Sequence, residues 1–466
     1  MFFNIKPSDK PALISSDGTS VTYASLASLS DRIGEVCSPR RLALCLCENC
    51  PASVIGYVGF LKNKTVPLLL DRKIDPALLA NLMEVYRPTY LYVPTELSGG
   101  FGGFRKIGEI DRYDILMTTG EERVLGYDEL ALLLTTSGST GSPKLVRQSY
   151  KNIQANAESI AEYLELTEDE RPVTTLPMNY TYGLSIINSH LLVGATILMT
   201  EDAMTMKPFW TFMKEQRATS FGGVPFTYEM LKKIRFFRMD LPDLRYMTQA
   251  GGKLSPELHR EFAEWCRDQG KKFIVMYGQT EATARMAYLP AERSLEKYGS
   301  MGFAIPGGRF ILEDASGGVI EEPDTVGELI YEGPNVTLGY AERLEDLDLG
   351  DERGGRLATG DMAKRDADGF YYIVGRKKRF LKVFGNRVNL DEMDRLLKQN
   401  FDGIEFASTG TDDHVKTYMT APGRTDEVRK WLSATTHLSE SAFEVFYIDE
   451  IPKNEAGKVL YIKLPQ

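Results

Sequence analysis

The stretch "TTSGSTGSPKLV", residues 135–146, sets Thr136, Ser137, Gly138, Ser139, Thr140 and Gly141 ahead of Lys144. Glycines and hydroxyls before a lysine are the materials of a phosphate-binding loop, because small residues let backbone N–H groups approach an anion. The P-loop pattern G-x-x-x-x-G-K-[ST] leads directly into a helix and puts a magnesium-binding hydroxyl after the lysine. Here Pro143 precedes Lys144 and Leu145 follows it, which disfavours a P-loop kinase. Two more Gly-containing loops, "TQAGGK" and "MYGQTE", also follow apolar runs. Open α/β sheets bind ligands at the carboxyl ends of their strands, so three such loops are candidate walls of one site.

Other chemistries find little support. His190, His259, His414 and His437 are scattered and adjoin no nucleophile motif, which argues against a Ser-His-Asp hydrolase. Cys45, Cys47 and Cys50 lie in "LALCLCENC" without the ligand spacing of a zinc site. Read as a strand, that stretch puts Ala43, Cys45 and Cys47 on one face and Leu42, Leu44 and Leu46 on the other, so buried free thiols are expected. A net charge of −10 gives no basic surface for nucleic acid. The N-terminus lacks the basic-then-apolar order of a signal peptide, and Ser185–Met199 is too short to insert in a membrane. A cytoplasmic protein is expected.

The elements that must position the loops follow from alternation. With 466 residues, two or three structural units are expected. "LALCLC", "VPLLL", "LALLLTTSG", "LRYMTQAGG" and "KFIVMYG" read as strands, with helices between them over Lys151–Leu164 and Pro256–Gln269. This predicts an α/β fold with largely parallel sheets. Ser255 is expected to cap a helix that has Pro256 at its first position. From about Gly302 the texture changes to short β pieces with turns, and a break near "GRKKRFLK" leaves roughly the last 90 residues as a small α+β unit.

Six blocks in order carry a resemblance: "LLLTTSGSTGSPKLV", "MYGQTEATA", "GELIYEGPNVTLGY", "LATGD", "GRKKRFLKVFGNRV" and "PKNEAGKVLY". Together they resemble the adenylate-forming enzymes: acyl-CoA synthetases, adenylation domains of peptide synthetases and luciferases. The resemblance runs from "VTYASLASLSDRI" to the end of the chain. It implies a large N-terminal domain of two α/β subdomains plus a small β-barrel (1–375), then a small mobile α+β C-terminal domain (376–466). It also implies ATP and Mg²⁺ as cofactors, attack of a carboxylate on the α-phosphate, and transfer of the acyl group to the thiol of CoA or of phosphopantetheine on an acyl carrier protein. The first step needs no general base, because the carboxylate is already ionised. Positioning and cations around the phosphates carry it.

Residue by residue, the resemblance assigns Ser137–Gly141 with Thr136 to the phosphates and Lys144 to a charge beside them. Gly251, Gly252, Tyr277, Gly278, Gln279 and Thr280 line the adenine and acyl pockets, with Tyr277 against the base. Glu281 holds Mg²⁺, Asp361 and Arg376 reach the ribose, and Lys458 bridges the carboxylate and the α-phosphate. Lys378 is the hinge. Lys382 belongs to a basic cluster with Arg376, Lys377, Lys378, Arg379 and Arg387, which faces either CoA phosphates or an acidic carrier protein, or is a solvated face. Taken singly, each of these residues is an ordinary turn or surface residue; the order of the blocks is what gives them roles.

Amino-acid-activating relatives carry an Asp in an "FDxS"-like segment. The stretch here, "LPMNYTYGLS", has no acid between Leu176 and Ser185. A fatty or aromatic acid is therefore expected, with Tyr180, Tyr182 and Gly183 at the substrate. An amino-acid-loading adenylation enzyme and a nucleotide-binding pseudoenzyme are the alternative readings.

Overall fold

The computed structural model describes residues 1–135, 144–383, 386–436, 438–454 and 457–465, without the side chains of 378, 382, 386 and 387. Residues 136–143, and with them the expected phosphate contacts Thr136, Ser137, Gly138, Ser139, Thr140 and Gly141, lie outside the described residues. The chain forms two compact units, Met1–Arg309 with Tyr331–Leu357, and Phe310–Ile330 with Ala358–Gln466.

The first unit is built on two large sheets. Among the described residues, one has eight strands in the order Gly339–Ala341, Leu145–Ser149, Leu130–Thr135, Val66–Asp71, Leu42–Cys47, Tyr90–Pro94, Tyr113–Thr118 and Phe104–Ile110. Its centre is parallel and its edges antiparallel. The sequence explains why Leu42–Cys47 sits in the middle. Leu42, Leu44 and Leu46 enter one hydrophobic cluster, whereas Ala43, Cys45 and Cys47 enter another, so both faces are covered, as parallel sheets require. All five cysteines are free and buried, and burial pushes the Cys37 and Cys266 thiols up to about 12.

The second large sheet carries the other two candidate loops. Pro172–Val173, Ser220–Gly223, Tyr246–Gln249 and Lys272–Tyr277 pair in parallel, and Ala287–Leu289 and Phe303–Ala304 add antiparallel strands at one edge. The helix expected over Lys151–Leu164 is observed over Tyr150–Tyr163, capped by Ser149 in a capping box with Asn152. The helix Pro256–Asp268 has Ser255 as its cap, the hydroxyl accepting from Leu258 N, with Pro256 in its first turn. This mixed α/β architecture agrees with the expected fold class.

Most of a four-stranded sheet in the order Arg309–Glu313, Gly327–Glu332, Arg356–Arg365, Tyr371–Arg376 belongs to the second unit, in the region where a small barrel within 1–375 is expected. After it come a hairpin (Phe380–Val383 with Asn386–Asn389), the helices Leu390–Asn400 and Thr425–Thr436, and a three-stranded sheet. Leu397, Val428 and Leu432, each fully buried, centre its core. No helix among the described residues is long and apolar enough to cross a membrane.

Candidate functional site

In the first unit, Leu130–Thr135 and Leu145–Ser149 pair antiparallel, with Thr135 opposite Leu145. The strands that flank residues 136–143 therefore form an antiparallel hairpin, unlike the strand-to-helix signature of a P-loop. Lys144 stands at the return of that hairpin. Its ammonium lies 3.8 Å from the centroid of the Tyr340 ring and 3.3 Å from a Glu342 oxygen.

Tyr277 ends its strand, and the chain returns through Gly278–Met286 to pair Ala287 with Tyr277. The return is tight. A Cβ on Gly278 would stand 1.5 Å from the Ala284 carbonyl oxygen, so only glycine fits. Thr283 (φ 60°) and Ala284 (φ 127°) both lie at positive φ, a strain that the surroundings must hold in place. The segment after Tyr331 does the holding. Asn335 Nδ2 donates to the carbonyls of Ala282 (2.8 Å) and Arg285 (2.9 Å), and Thr283 Oγ1 donates to Asn335 O (2.7 Å). The Glu281 carbonyl accepts from Thr337 N (3.0 Å), Thr337 Oγ1 (2.9 Å) and Arg353 Nη1 (3.0 Å).

This fixes the Glu281 carboxylate. Tyr340 donates its hydroxyl to Oε1 at 2.7 Å, while Oε2 accepts nothing among the described residues. The Tyr340 ring lies under Lys144 and also 4.7 Å from the Arg353 guanidinium. Burial, then the Glu281 charge, pushes the Tyr340 hydroxyl up to about 12, so it stays a donor. Lys144, Tyr340 and Glu281 thus form one chain of contacts. Tyr340 lies in the block "GELIYEGPNVTLGY", where the sequence alone assigns it no role. Its signal, an aromatic after Gly339, acquires meaning only from the pairing of Gly339–Ala341 with Leu145–Ser149. The arrangement can offer one oxygen of a held carboxylate to a hard divalent cation such as Mg²⁺, with a cation close by for phosphate oxygens. The donor set therefore fits that metal.

The remaining first-unit candidates are placed as follows. Gln279 Nε2 donates to the Tyr277 hydroxyl (3.2 Å), and Thr280 is buried. Gly251 has φ +84°, and a Cβ there would meet the Tyr180 hydroxyl at 2.7 Å. Gly252 packs on Pro225. Tyr182 is buried and donates to Thr248 O at 2.9 Å. Gly183 abuts the Pro177 carbonyl, 2.3 Å from where a Cβ would be, so it lets the helix Thr181–Leu192 start against that turn.

In the second unit, Asp361 and Arg376 face each other across paired strands, and Arg376 Nε lies 2.7 Å from the buried Asp361 carboxylate. Lys458 follows Gly457 (φ +73°) in a tight return in which Lys458 N donates to Asn454 Oδ1 (2.9 Å) and Lys453 bridges Val459. Lys378 lies in the turn Lys377–Arg379 and Lys382 in the strand Phe380–Val383; their side chains lie outside the described residues. Three side chains of the basic cluster have acidic partners within this unit. Arg376 pairs with Asp361, Lys377 with Glu328 (2.5 Å), and Arg379 with Asp391 (2.6 Å) and Asp394 (2.7 Å), so these charges are answered within the unit.

Comparisons with known proteins agree with this assembly. A family model described as "AMP-binding enzyme" matches residues 4–341. The chain is 29% identical over 360 residues to an oxalate–CoA ligase of Arabidopsis thaliana, covering 74% of this chain and 69% of that protein. It is 25% identical over 470 residues to a 2-succinylbenzoate–CoA ligase of Bacillus subtilis, covering 97% and 94%. The structure of the O-succinylbenzoate coenzyme A synthetase from Bacillus subtilis, in complex with ATP and magnesium ion, shares the fold with a TM-score of 0.77 at 23% identity, over 98% of this chain and 96% of that one. The chain belongs to the AMP-binding enzyme family and is an AMP-forming ligase of the adenylate-forming superfamily.

Proposed function

We propose that the enzyme converts a carboxylic acid without an α-ammonium group to its acyl-adenylate and passes the acyl group to coenzyme A. The observation that carries this reading is the Lys144–Tyr340–Glu281 chain, which sets a cation and a held carboxylate beside the Gly/Ser hairpin. Bound Mg²⁺ would neutralise charge on the ATP phosphates. Glu281 would hold it, Lys144 and the 136–141 loop would take the β- and γ-phosphates, and Tyr277 with Gly251 and Gly252 would flank the base. Asp361 and Arg376 would engage the ribose. Lys458 would meet the charge that develops where the carboxylate oxygen attacks. The units anticipated from the sequence, 1–375 and 376–466, would move about Lys378 between the two half-reactions.

Two things support an acid lacking an ammonium group. No acidic side chain lies between Leu176 and Ser185 to pair with one, and two relatives are named for oxalate and 2-succinylbenzoate. Those names also favour CoA as the thiol over a carrier protein. The reading places the enzyme in the cytoplasm, a reducing compartment in which its five free cysteines persist. The test is acid-dependent ATP–pyrophosphate exchange across a panel of acids, followed by thioester formation with CoA. Exchange with α-amino acids alone would overturn the substrate class, and exchange without any CoA thioester would overturn the acceptor.

A further inference from the structure

Four residues beyond Glu281, Arg285 turns into the protein interior and is 2% exposed. It comes directly after Thr283 and Ala284, the two positive-φ residues of the return that follows Tyr277. Its Nε donates to Ser185 Oγ (3.1 Å), and its Nη1 donates to the Tyr163 hydroxyl (3.0 Å) and meets Met276 Sδ. The guanidinium also lies 4.5 Å from the Tyr182 ring centroid. The main chain is held as well, since the Arg285 carbonyl accepts from Asn335 Nδ2 (2.9 Å) and Asn156 Nδ2 (3.0 Å). One residue thus ties the Glu281 return to the helix Tyr150–Tyr163, the helix Thr181–Leu192 and the strand Lys272–Tyr277.

All these side-chain partners are neutral, whereas other well-buried arginines have carboxylates: Arg40 pairs with Asp128 (3.5 Å) and Arg147 with Glu352 (2.5 Å). Taking a charge out of water costs stability, and an apolar side chain of similar volume often replaces a buried charge without loss. Stability alone therefore does not account for an arginine here. What arginine adds is direction, because its planar fork of five donors fixes partners on different elements at set angles. The cavity beside it, about 10 Å³, has room for a single water. The guanidinium acts on the protein around it and not on a ligand.

Both ends of this tie are expected parts of the site. Tyr182 is fixed at its carbonyl, which accepts from Ser185 Oγ (2.7 Å), and at its hydroxyl, which donates to Thr248 O (2.9 Å). The other end is the return that carries Glu281. We propose that Arg285 is a positioning residue, which sets the acid-binding start of the helix Thr181–Leu192 against the Glu281 carboxylate so that acid and nucleotide meet in register. This rests on the acid-activating reading above. Arg285 touches no reacting group; it acts through Tyr182 and Ser185 on one side and through the 281–285 backbone on the other.

The experiment measures pyrophosphate exchange with an acid that wild type accepts, at varied acid and Mg²⁺, in wild type, Arg285→Met, Arg285→Lys and Ser185→Ala. Removing the guanidinium orphans neither hydroxyl, because Ser185 Oγ keeps Tyr182 O and the Tyr163 hydroxyl keeps Met276 Sδ (3.1 Å). Arg285→Met should therefore melt close to wild type. Its kcat/KM for the acid should fall about 10²-fold, the scale of a misplacement of about 1 Å, and its Mg²⁺ requirement should rise. In the unliganded variant the amides of 278–286 should exchange with deuterium faster. Arg285→Lys keeps a donor and should recover part of the rate. Ser185→Ala cuts only the bond to the helix and should raise the acid KM while leaving the Mg²⁺ requirement in place. Wild-type acid KM and Mg²⁺ requirement in folded Arg285→Met would overturn the proposal, and so would a lowered melting temperature with unaltered kinetics per active site. If Arg285→Met does not fold, Ser185→Ala decides, and an unchanged acid KM overturns the role. Exchange by wild type with no acid of any class would instead remove the proposed function and the inference with it.

Discussion

Replacing Tyr340 by Phe removes one oxygen and leaves the ring that Lys144 and Arg353 contact at 3.8 and 4.7 Å. What is lost is the 2.7 Å hydrogen bond to the Glu281 carboxylate. A hydrogen bond to an ionised group contributes about 1.5–3 kcal/mol net. At about 1.4 kcal/mol per tenfold, this corresponds to roughly a 10- to 150-fold fall if the bond acts fully in the transition state. Because Glu281 would hold Mg²⁺, the loss should appear in pyrophosphate exchange as a raised Mg²⁺ requirement and a lower rate at saturating ATP. The effect should be flat from pH 6 to 9, since the Tyr340 hydroxyl, pushed up to about 12, is protonated throughout. Tyr340→Leu also removes the cation–π contact with Lys144, worth about 0.5–2 kcal/mol, and should be slower still. Wild-type exchange and Mg²⁺ dependence in Tyr340→Phe would refute the coupling of Lys144 and Glu281 through this residue.

Lys458→Ala should slow adenylate formation by about 10²–10³-fold, the scale of a lost transition-state donor, and spare thioester formation from supplied acyl-adenylate; equal damage to both steps would make Lys458 structural. Lys378→Pro fixes φ in the turn Lys377–Arg379 and should depress thioester formation while exchange persists; an undiminished thioester rate would exclude a pivot there. Burial pushes His259 down to about 4 from the ordinary 6.5, so the unfolded chain binds the proton first. Its contribution is fully present above pH 6.5 and lost as pH falls toward 4, by up to about 1.4 kcal/mol per pH unit. Denaturant midpoints across pH 4.5–7 should show a shallower slope in His259→Gln, and an unchanged slope would be evidence against this titration.

Local patterns were readable wherever short-range physics decides. The alternation in "LALCLC" told which side chains share a face, and Ser255-Pro256 told where a helix starts. The three glycine loops were found because each follows an apolar strand. What escaped depends on pairing between distant segments. Tyr340 reaches Glu281 from 59 residues along the chain, and Asn335, Thr337 and Arg353 grip the same loop from 53, 56 and 72 residues away. Arg285 was passed over because a charge within an expected loop looks solvated until the helix Tyr150–Tyr163 and the helix Thr181–Leu192 are packed over it. The basic run at 376–387 leaves a binding face and a solvated face both open in the sequence, because Asp361, Glu328, Asp391 and Asp394 become partners of three of its charges only through folding.

The central claim is that a carboxylate oxygen of the acid attacks the α-phosphate of ATP. The direct measurement supplies an exchange-active acid labelled with ¹⁸O in its carboxylate, together with ATP, Mg²⁺ and CoA, and weighs the products by mass spectrometry. The account predicts AMP carrying one ¹⁸O atom and unlabelled pyrophosphate, since the attacking oxygen stays on the α-phosphorus when the thiol displaces the adenylate. Formation of ADP with labelled orthophosphate, or of AMP without label, would contradict it.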